Sequence, residues 1–444
     1  MQSIDSHKLH NEATVVDLHA HPSLKMALFH HNLARRYGIA PPGFWPLSMR
    51  TNFDKLQAGG VDVLLSAAYA PEKPLLEDIP LLKLMRVTSR SVWQDLVEPP
   101  YFDATQTILR EFERQIDSYN HGRGWRRAVR LVRTVAELND VLATGPAGPI
   151  AIVNTLEGAH ALEGSLCNHE DRGGHPLSAG AIRDEVLSNL DSFFRQGVAS
   201  LTLAHFYPNR VVHPCFPFPE TVLPLVRWRK VVAGFDLSQG LTSLGEAVVE
   251  RMLELGMLID VTHSTPVARA RIYQIVESKR KGAAVFASHI GARAFKASPY
   301  CLEDWELRWI ADHGGVAGVI FMNYWLGAHD RLGLDLVAET IDHIVDVAGI
   351  DAVGFGSDFD GFTDPPDDLV DATQMPRLTE HLLGQARPGN VRRYSLEDVH
   401  KILGGNALRM LREGWGQRGT NQQPPVASHN GKKIDSFRVP ETVT

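Results

Sequence analysis

The sequence predicts an α/β protein built as a (β/α)8 TIM barrel with a helical insertion and long βα loops. Three observations predict it. Eight short runs are nearly continuous in Val, Ile, Leu and Ala: TVVDLHAH (14–21), VDVLLSAAY (61–69), PIAIVNTLEG (149–158), VASLTLAH (198–205), MLIDVTH (257–263), AVFASHI (284–290), GVAGVIFMN (315–323) and DAVGFGSDF (351–359). Strands buried on both faces of a parallel sheet read this way. Between them lie helical patterns at 243–256, 266–282, 302–315 and 338–350, several ending at glycine, the residue expected at a helix C-cap. Finally, an open doubly wound sheet calls for a glycine-rich phosphate loop after its first strand, and here that position reads DLHAHPSL.

Taken in order, residues 1–13 form an N-terminal extension, 14–415 the barrel and 416–444 a polar tail rich in Pro, Asn and Gln. That tail is expected to be weakly ordered or docked on another subunit. Residues from about 74 to 135 read as a mostly helical insertion on the barrel rim. Residues 160–180 and 206–234, rich in Gly, Pro and His, read as long βα loops near a site.

Composition removes several function classes. The 444 residues carry 45 basic and 52 acidic side chains, a net charge of −7, which gives no reason to expect a nucleic-acid or anionic-membrane partner. Arg123, Arg126, Arg127, Arg130 and Arg133 are the nearest thing to a basic patch and read as a solvated helix face. No stretch reaches the roughly 18 apolar residues of a membrane span, and the first residues carry no apolar signal core. If Met1 is the natural start, the protein is cytoplasmic. Three cysteines (Cys167, Cys215, Cys301) are too few for a disulfide framework, as expected in a reducing compartment.

The chemistry sits at the ends of the strands. His19 and His21 close the first run, Glu157 the third and His205 the fourth; His263 closes the fifth, His289 the sixth and Asp358 the eighth. In a (β/α)8 barrel all strand C-termini open on one face, where active sites form, so seven scattered residues converge on one mouth. Side chains alternate along a strand, so His19 and His21 point the same way and can hold one cation, or they are partly buried core residues. Asp17 fixes a histidine tautomer or is a structural carboxylate. Glu157, in an otherwise apolar strand, needs a partner or a metal, and its two oxygens can bridge two divalent ions. His263 and His289 complete a second ion site, unless each is a core histidine bonded to a carbonyl. Imidazole and carboxylate ligands favour zinc. Asp358 and Asp360 point one way if the strand continues that far, and Asp358 is placed to move a proton from water to a leaving amine. His205 either polarises a carbonyl or is a satisfied core histidine.

The motifs DLHAH, LEGAH, LTLAH, LIDVTH, FASHI and GFGSDFDG follow the order and strand context of the membrane (renal-type) dipeptidases, peptidase family M19, which this chain resembles from about Val15 to about Leu411. The family belongs to the amidohydrolase-like metal-dependent hydrolases. The resemblance implies a (β/α)8 barrel with a binuclear zinc site that hydrolyses a dipeptide to two amino acids, and it implies a homodimer. It assigns the first zinc to His19 and the bridge to Glu157. It gives the second zinc to His263 and His289, substrate contact to His205 and proton transfer to Asp358. Asn406, in GGNALRML, resembles a structural asparagine of the closing helix. Two departures stand out. The family's first motif is His-x-Asp, whereas the second ligand position here is His21. An arginine that grips the substrate's C-terminal carboxylate is replaced by Tyr300, leaving Arg293 or Lys296 for that task; Tyr324 joins His205, Arg293 and Tyr300 as a substrate-binding candidate.

The expected function is therefore zinc-dependent hydrolysis of a small dipeptide-like substrate. The alternatives are an amidohydrolase acting on a cyclic amide, a lactone or an N-acylated amino acid, and a non-catalytic metal-binding barrel that binds a peptide-like ligand.

Overall fold

A computed structural model describes residues 5–78, 85–122, 124, 126–168, 178–215, 236–279, 285–327, 333–387 and 391–417. Eight parallel strands follow one another around a barrel: β1 (Val15–Ala20), β2 (Val61–Ala68), β4 (Ile150–Glu157), β5 (Ser200–Thr202), β6 (Leu258–Asp260), β7 (Val285–Ile290), β8 (Ala317–Ile320) and β9 (Val353–Gly356). Every residue of these strands is buried apart from Asp62, as strands covered on both faces require. The His21 N–H donates to Phe359 O at 2.8 Å and the Asp358 N–H to His19 O at 2.9 Å, so β9 returns to β1 and the barrel closes. Closure brings the first and last strand ends, some 340 residues apart in sequence, to the same rim.

The stretch expected as a helical insertion, 74–135, is helical only in part. The helices Arg90–Leu96 and Tyr101–Gly122 are followed by a ninth strand, β3 (Val129–Val132), paired in parallel with Ile150–Val153 of β4. Arg130 hid it: Val129 and Val132 are buried while Arg130 is exposed, so its four residues lack a continuous apolar character. The arginines do not share one helix face either. Arg126 pairs with Asp54 at 2.8 Å, Arg127 with Asp62 at 2.8 Å, and Arg130 lies in β3; Arg123 is outside the described residues.

Within residues 1–13, Ser6–Glu12 form a helix capped by Asp5, and its buried His10 bonds Gly59 O and Thr379 Oγ1, both at 2.8 Å. The expected loops 160–180 and 206–234 and the tail 416–444 lie partly outside the described residues. Among the described residues no helix is long and apolar enough to cross a membrane. Cys167, Cys215 and Cys301 are buried free thiols.

Two strands carry an extra residue toward their C-terminal ends. Between Asp17 and Ala20 β1 advances three residues while β2 advances two, from Leu64 to Ser66. Between Ala287 and Ile290 β7 does the same against Ala317–Val319. Such bulges reverse the alternation of side chains. Val16, Leu18 and Phe286 join one apolar cluster, and His19 and His289, one and three residues further on, reach the mouth.

Asn406 ties the closing helix, Asn406–Gly414, to the barrel floor. Its Nδ2 donates to Ile350 O at 2.7 Å and Val353 O at 2.8 Å. Replacing Asn406 by Leu strands both carbonyls, and the expected loss is about 1–3 kcal/mol in denaturant unfolding with metal content unchanged. Loss of metal from a folded variant would show that the contact does more than hold the helix.

Candidate active site

Glu157, the last residue of β4 and 1% exposed, is the centre of the mouth. Its Oε1 lies 3.3 Å from His19 Nε2, 3.3 Å from His263 Nε2 and 3.6 Å from His289 Nε2. Its Oε2 lies 3.1 Å from His21 Nε2 and 3.3 Å from His205 Nε2. The imidazoles also meet each other, His19 with His21 at 2.9 Å and His263 with His289 at 3.1 Å, Nε2 to Nε2. Asp358 Oδ1 is 3.4 Å from His21 Nε2. Sequence reasoning named all seven residues, and the structure brings them together.

How they arrive differs from simple strand alternation. β5, β6 and β9 end at Thr202, Asp260 and Gly356, so His205, His263 and Asp358 stand on turns just beyond. His263 and Asp358 adopt left-handed backbone (φ 65° and 52°), a conformation costing roughly 1–3 kcal/mol per non-glycine residue and concentrated at functional sites. The Cys215 N–H and Arg269 hold the first turn through the carbonyls of His263 (2.6 Å) and Ser264 (2.7 Å). Thr363 Oγ1 and the Gly361 N–H hold Asp358 O in the second. Because β9 stops early, Asp360 does not share the direction of Asp358. It turns away, accepts from the Arg50 and Thr51 N–H groups, and pairs with buried Lys25 at 2.9 Å. A Cβ on Gly361 would fall 2.0 Å from Asp358 Oδ1, so any side chain there must push the carboxylate from its place.

The supporting groups were mostly missed from the sequence. Asp260 accepts from the Thr202, Thr262 and Ser288 hydroxyls at 2.6, 2.7 and 2.5 Å. With its proton given to Asp260, Ser288 Oγ can only accept from His289 Nδ1–H at 2.7 Å, which leaves the lone pair of His289 Nε2 facing the cluster. Glu72, after β2, receives His205 Nδ1 at 2.9 Å. Their signal was available: Asp260 lies two residues before Thr262, and Glu72 just past a strand end. Asp17, by contrast, touches no imidazole. It accepts from Ser357 N–H and Oγ (2.9 and 2.6 Å) and from the His19 N–H (3.1 Å), locking the β1 bulge to β9; burial raises its carboxyl to about 6 against those bonds.

The remaining candidates lie apart from the cluster or are already engaged. Tyr300 is buried, donates its hydroxyl to His289 O at 2.9 Å, stacks on Trp325 with ring centroids 4.3 Å apart and meets His263 edge-on at 5.1 Å. It is a wall behind His263 and His289 rather than a free hydroxyl. Arg293 faces Glu303 at 3.4 Å on the surface, and Lys296 sits 4.0 Å over the Tyr324 ring.

The electrostatics suit cations. Burial alone raises a carboxylic acid, yet His205, His21 and His19 hold Glu157 well below the usual range. Burial lowers His21, but Glu157 and Asp358 outweigh it and lift the ring to about 10. Burial, with His19 and His263 nearby, drives His289 well below its ordinary value, and burial also lowers His263. Glu157 Oε2 has two ring nitrogens close by but no hydrogen bond in proper geometry. Ring nitrogens that face one another with too few protons, around an oxygen they do not bond, form a donor set for divalent cations. Zn–N bonds near 2.0–2.1 Å put two tetrahedral ligands about 3.3 Å apart, close to the His263–His289 separation. Three overlapping groups share Glu157 or His19: His19, Glu157 and His289; His19, His21 and Asp358; Glu157, His205 and His263.

The family model for membrane dipeptidases (peptidase family M19) matches residues 172–423, more than half of the chain. The chain belongs to peptidase family M19. Among curated relatives of this M19 chain, dipeptidase 3 of Macaca fascicularis is 28% identical over 76% of this chain and 66% of its own length. Dipeptidase 3 of Homo sapiens is 29% identical over 60% of this chain and 48% of its own. The M19 chain thus spans about half to two thirds of these relatives. A metallo peptidase from Rhodobacter sphaeroides, solved with a phosphinate mimic of the dipeptide L-Ala-D-Ala, superposes with a TM-score of 0.66 at 20% identity, covering 91% of this chain and all of that one. The M19 dipeptidase AC gives 0.65 at 20% identity with the same coverage. At that identity the likeness establishes the barrel fold.

With His21 raised to about 10 among the protein groups alone, a cation must displace its proton at any lower pH. Apparent metal affinity at the site that includes His21 should therefore climb about tenfold per pH unit through the neutral range, with about one proton released when that site fills. Calorimetry in two buffers of different ionisation enthalpy counts that proton; a count of zero at pH 7 would show that His21 is not a ligand.

Proposed function

We propose that this chain is a metal-dependent dipeptidase, hydrolysing the amide bond of a dipeptide or dipeptide-like small molecule with two zinc ions held across Glu157. The observation that carries the reading is the convergence of five imidazole Nε2 atoms on both oxygens of one buried carboxylate. Membership of M19 and the identity to mammalian dipeptidase 3 support the substrate class.

His19, His21 and Glu157 would hold one cation, and Glu157, His263 and His289 the other. Divalent cations held there supply Lewis acidity, polarising a scissile carbonyl and bringing the pKa of water toward about 7. The rest is done by the chain. Asp358 is, at 8%, the most exposed of the seven residues, and its carboxylate takes a proton from the attacking water and returns it to the departing nitrogen. The C–N bond breaks, oxygen from water stays on the carbonyl carbon, and the amine leaves protonated. His205, whose Nε2 lies 3.3 Å from Glu157 Oε2, would stabilise charge growing on the carbonyl oxygen.

Tyr300 favours a second reading, a substrate without a free α-carboxylate such as a cyclic amide or lactone. Its hydroxyl is committed to His289 O and its ring to Trp325, so it presents an aromatic wall and no charge.

Elemental analysis of protein purified without added metal should find about two equivalents per chain, falling sharply in Glu157→Gln together with a loss of roughly 10³-fold or more in dipeptide turnover. Asp358→Asn should keep its metal and lose about 10²–10⁴-fold in kcat. A substrate panel with and without a free α-carboxylate separates the two readings, and no hydrolysis of any member by the metal-loaded wild type would overturn both.

A further inference from the structure

We propose that Glu72 is a positioning residue for hydrolysis: its carboxylate grips His205 by Nδ1 and so turns Nε2 toward the face of the cluster where the substrate's carbonyl oxygen must lie. The proposal rests on the hydrolase reading of the site. Glu72 stands four residues beyond Ala68, the last residue of β2, in the segment YAPEK. It is 2% exposed, and four donors meet its two oxygens. Oε2 accepts from His205 Nδ1 at 2.9 Å, the Tyr69 hydroxyl at 3.1 Å and the Phe206 N–H at 3.2 Å; Oε1 accepts from the Tyr207 N–H at 2.8 Å.

Backbone N–H groups and a tyrosine hydroxyl need only an acceptor, which a neutral amide oxygen or a buried water supplies. An ionised carboxylate removed from water is costly unless a charged or strongly polar partner uses it. Among the described residues its ion-pair partner is His205. The charge is therefore spent on the histidine and the loop bonds are secondary.

The apolar packing around the ring explains why that hydrogen bond matters. Phe206 stacks on His205 with centroids 3.6 Å apart and planes 23° apart, while Tyr69 and His263 meet it edge-on at 4.4 and 4.9 Å. These contacts fix the plane of the imidazole but not its sense. Rotating the ring by half a turn about Cβ–Cγ exchanges Nδ1 with Cδ2 and Nε2 with Cε1 at almost the same shape. In one sense Nε2 faces Glu157 Oε2 at 3.3 Å; in the other a carbon does. Nδ1–H bonded to Glu72 selects the first. With Nδ1–H committed to Glu72, Nε2 is the ring's only other polar atom; to donate to an oxyanion it must carry a second proton, which is why a charged partner at Nδ1, and not just an acceptor, matters.

This differs from the part played by Ser288 and Asp260, which orient His289, a candidate metal ligand. Glu72 acts on His205, whose Nε2 edge the hydrolase reading assigns to the substrate. Its loss should thus spare the metal and the ground-state complex, and weaken the transition state.

The test is a double-substitution cycle on zinc-loaded protein with Glu72→Gln, His205→Asn and both, reading zinc content, kcat, KM and the affinity of a phosphinate dipeptide mimic by calorimetry. Glu72→Gln is expected to keep its zinc and its KM within about threefold, and to lose roughly 10²-fold in both kcat and mimic affinity, the scale of losing one oxyanion donor. Added to His205→Asn, it should change neither further, because its effect passes through the ring. Multiplicative losses in the double variant, or loss of zinc with Glu72→Gln alone, would overturn the proposal and leave Glu72 as a loop anchor. Wild-type protein with ¹⁵N-labelled histidine gives a check that needs no Glu72 variant to fold: a strongly deshielded Nδ1–H proton that vanishes in His205→Asn is expected, and its absence also overturns the proposal. Failure of the wild type to hydrolyse any substrate would count against the hydrolase reading alone, since the mimic's affinity and the Nδ1–H signal are read without turnover.

Discussion

A single buried carboxylate, Glu157, organises this molecule. An ionised group sealed in a barrel mouth carries a desolvation penalty of several kcal/mol, and the chain answers it with five imidazoles drawn from β1, β7 and the turns after β5 and β6. That concentration of unshared nitrogen lone pairs is itself unfavourable without protons or cations to bind. The two problems solve each other when divalent cations sit between the carboxylate and the rings. Several other features of the barrel rim follow from the need to bring those groups within about 3.5 Å of each other.

Two of them are irregularities that a plain barrel would lack. The bulges in β1 and β7 turn His19 and His289 inward, one and three residues after the apolar interior residues Leu18 and Phe286, and the left-handed turns at His263 and Asp358 bring side chains back over the mouth. Each distortion has a local restraint. Asp17 ties the first bulge to Ser357, Asp260 ties the second through Ser288, and Arg269 grips the carbonyl after His263. Behind Asp358, the Lys25–Asp360 pair joins the helix that follows His21 to the turn that carries the acid. Strain at the centre is thus held by buried, fully used polar groups one layer out.

The same layer explains the division of labour among the histidines. His289 is oriented by a neutral hydroxyl backed by Asp260, which leaves its inner nitrogen with a lone pair for a metal. His205 is oriented by a carboxylate directly, so the charge of Glu72 lies against its far nitrogen. Chemically identical side chains are given different tasks by what touches their far nitrogen.

The sequence by itself determined the barrel, the rim on which the site lies, and the identity of the seven residues that meet there. Apolar runs alternating with helical patterns are local signals, and a polar residue at the end of an apolar run stands out without any knowledge of its neighbours. The weak points were where local patterns mislead. Strand β3, with Arg130 exposed between buried Val129 and Val132, is too short to register. Asp358 and Asp360 look alike on an extended strand, but one faces the cluster and the other a buried lysine, because β9 ends at Gly356. Only the tertiary structure decided which carboxylates face the imidazole cluster and which support it from behind. Asp17, Glu72, Asp260 and Asp360 are each defined by a hydrogen-bond donor far away in the chain, and their roles exist only once the barrel has closed.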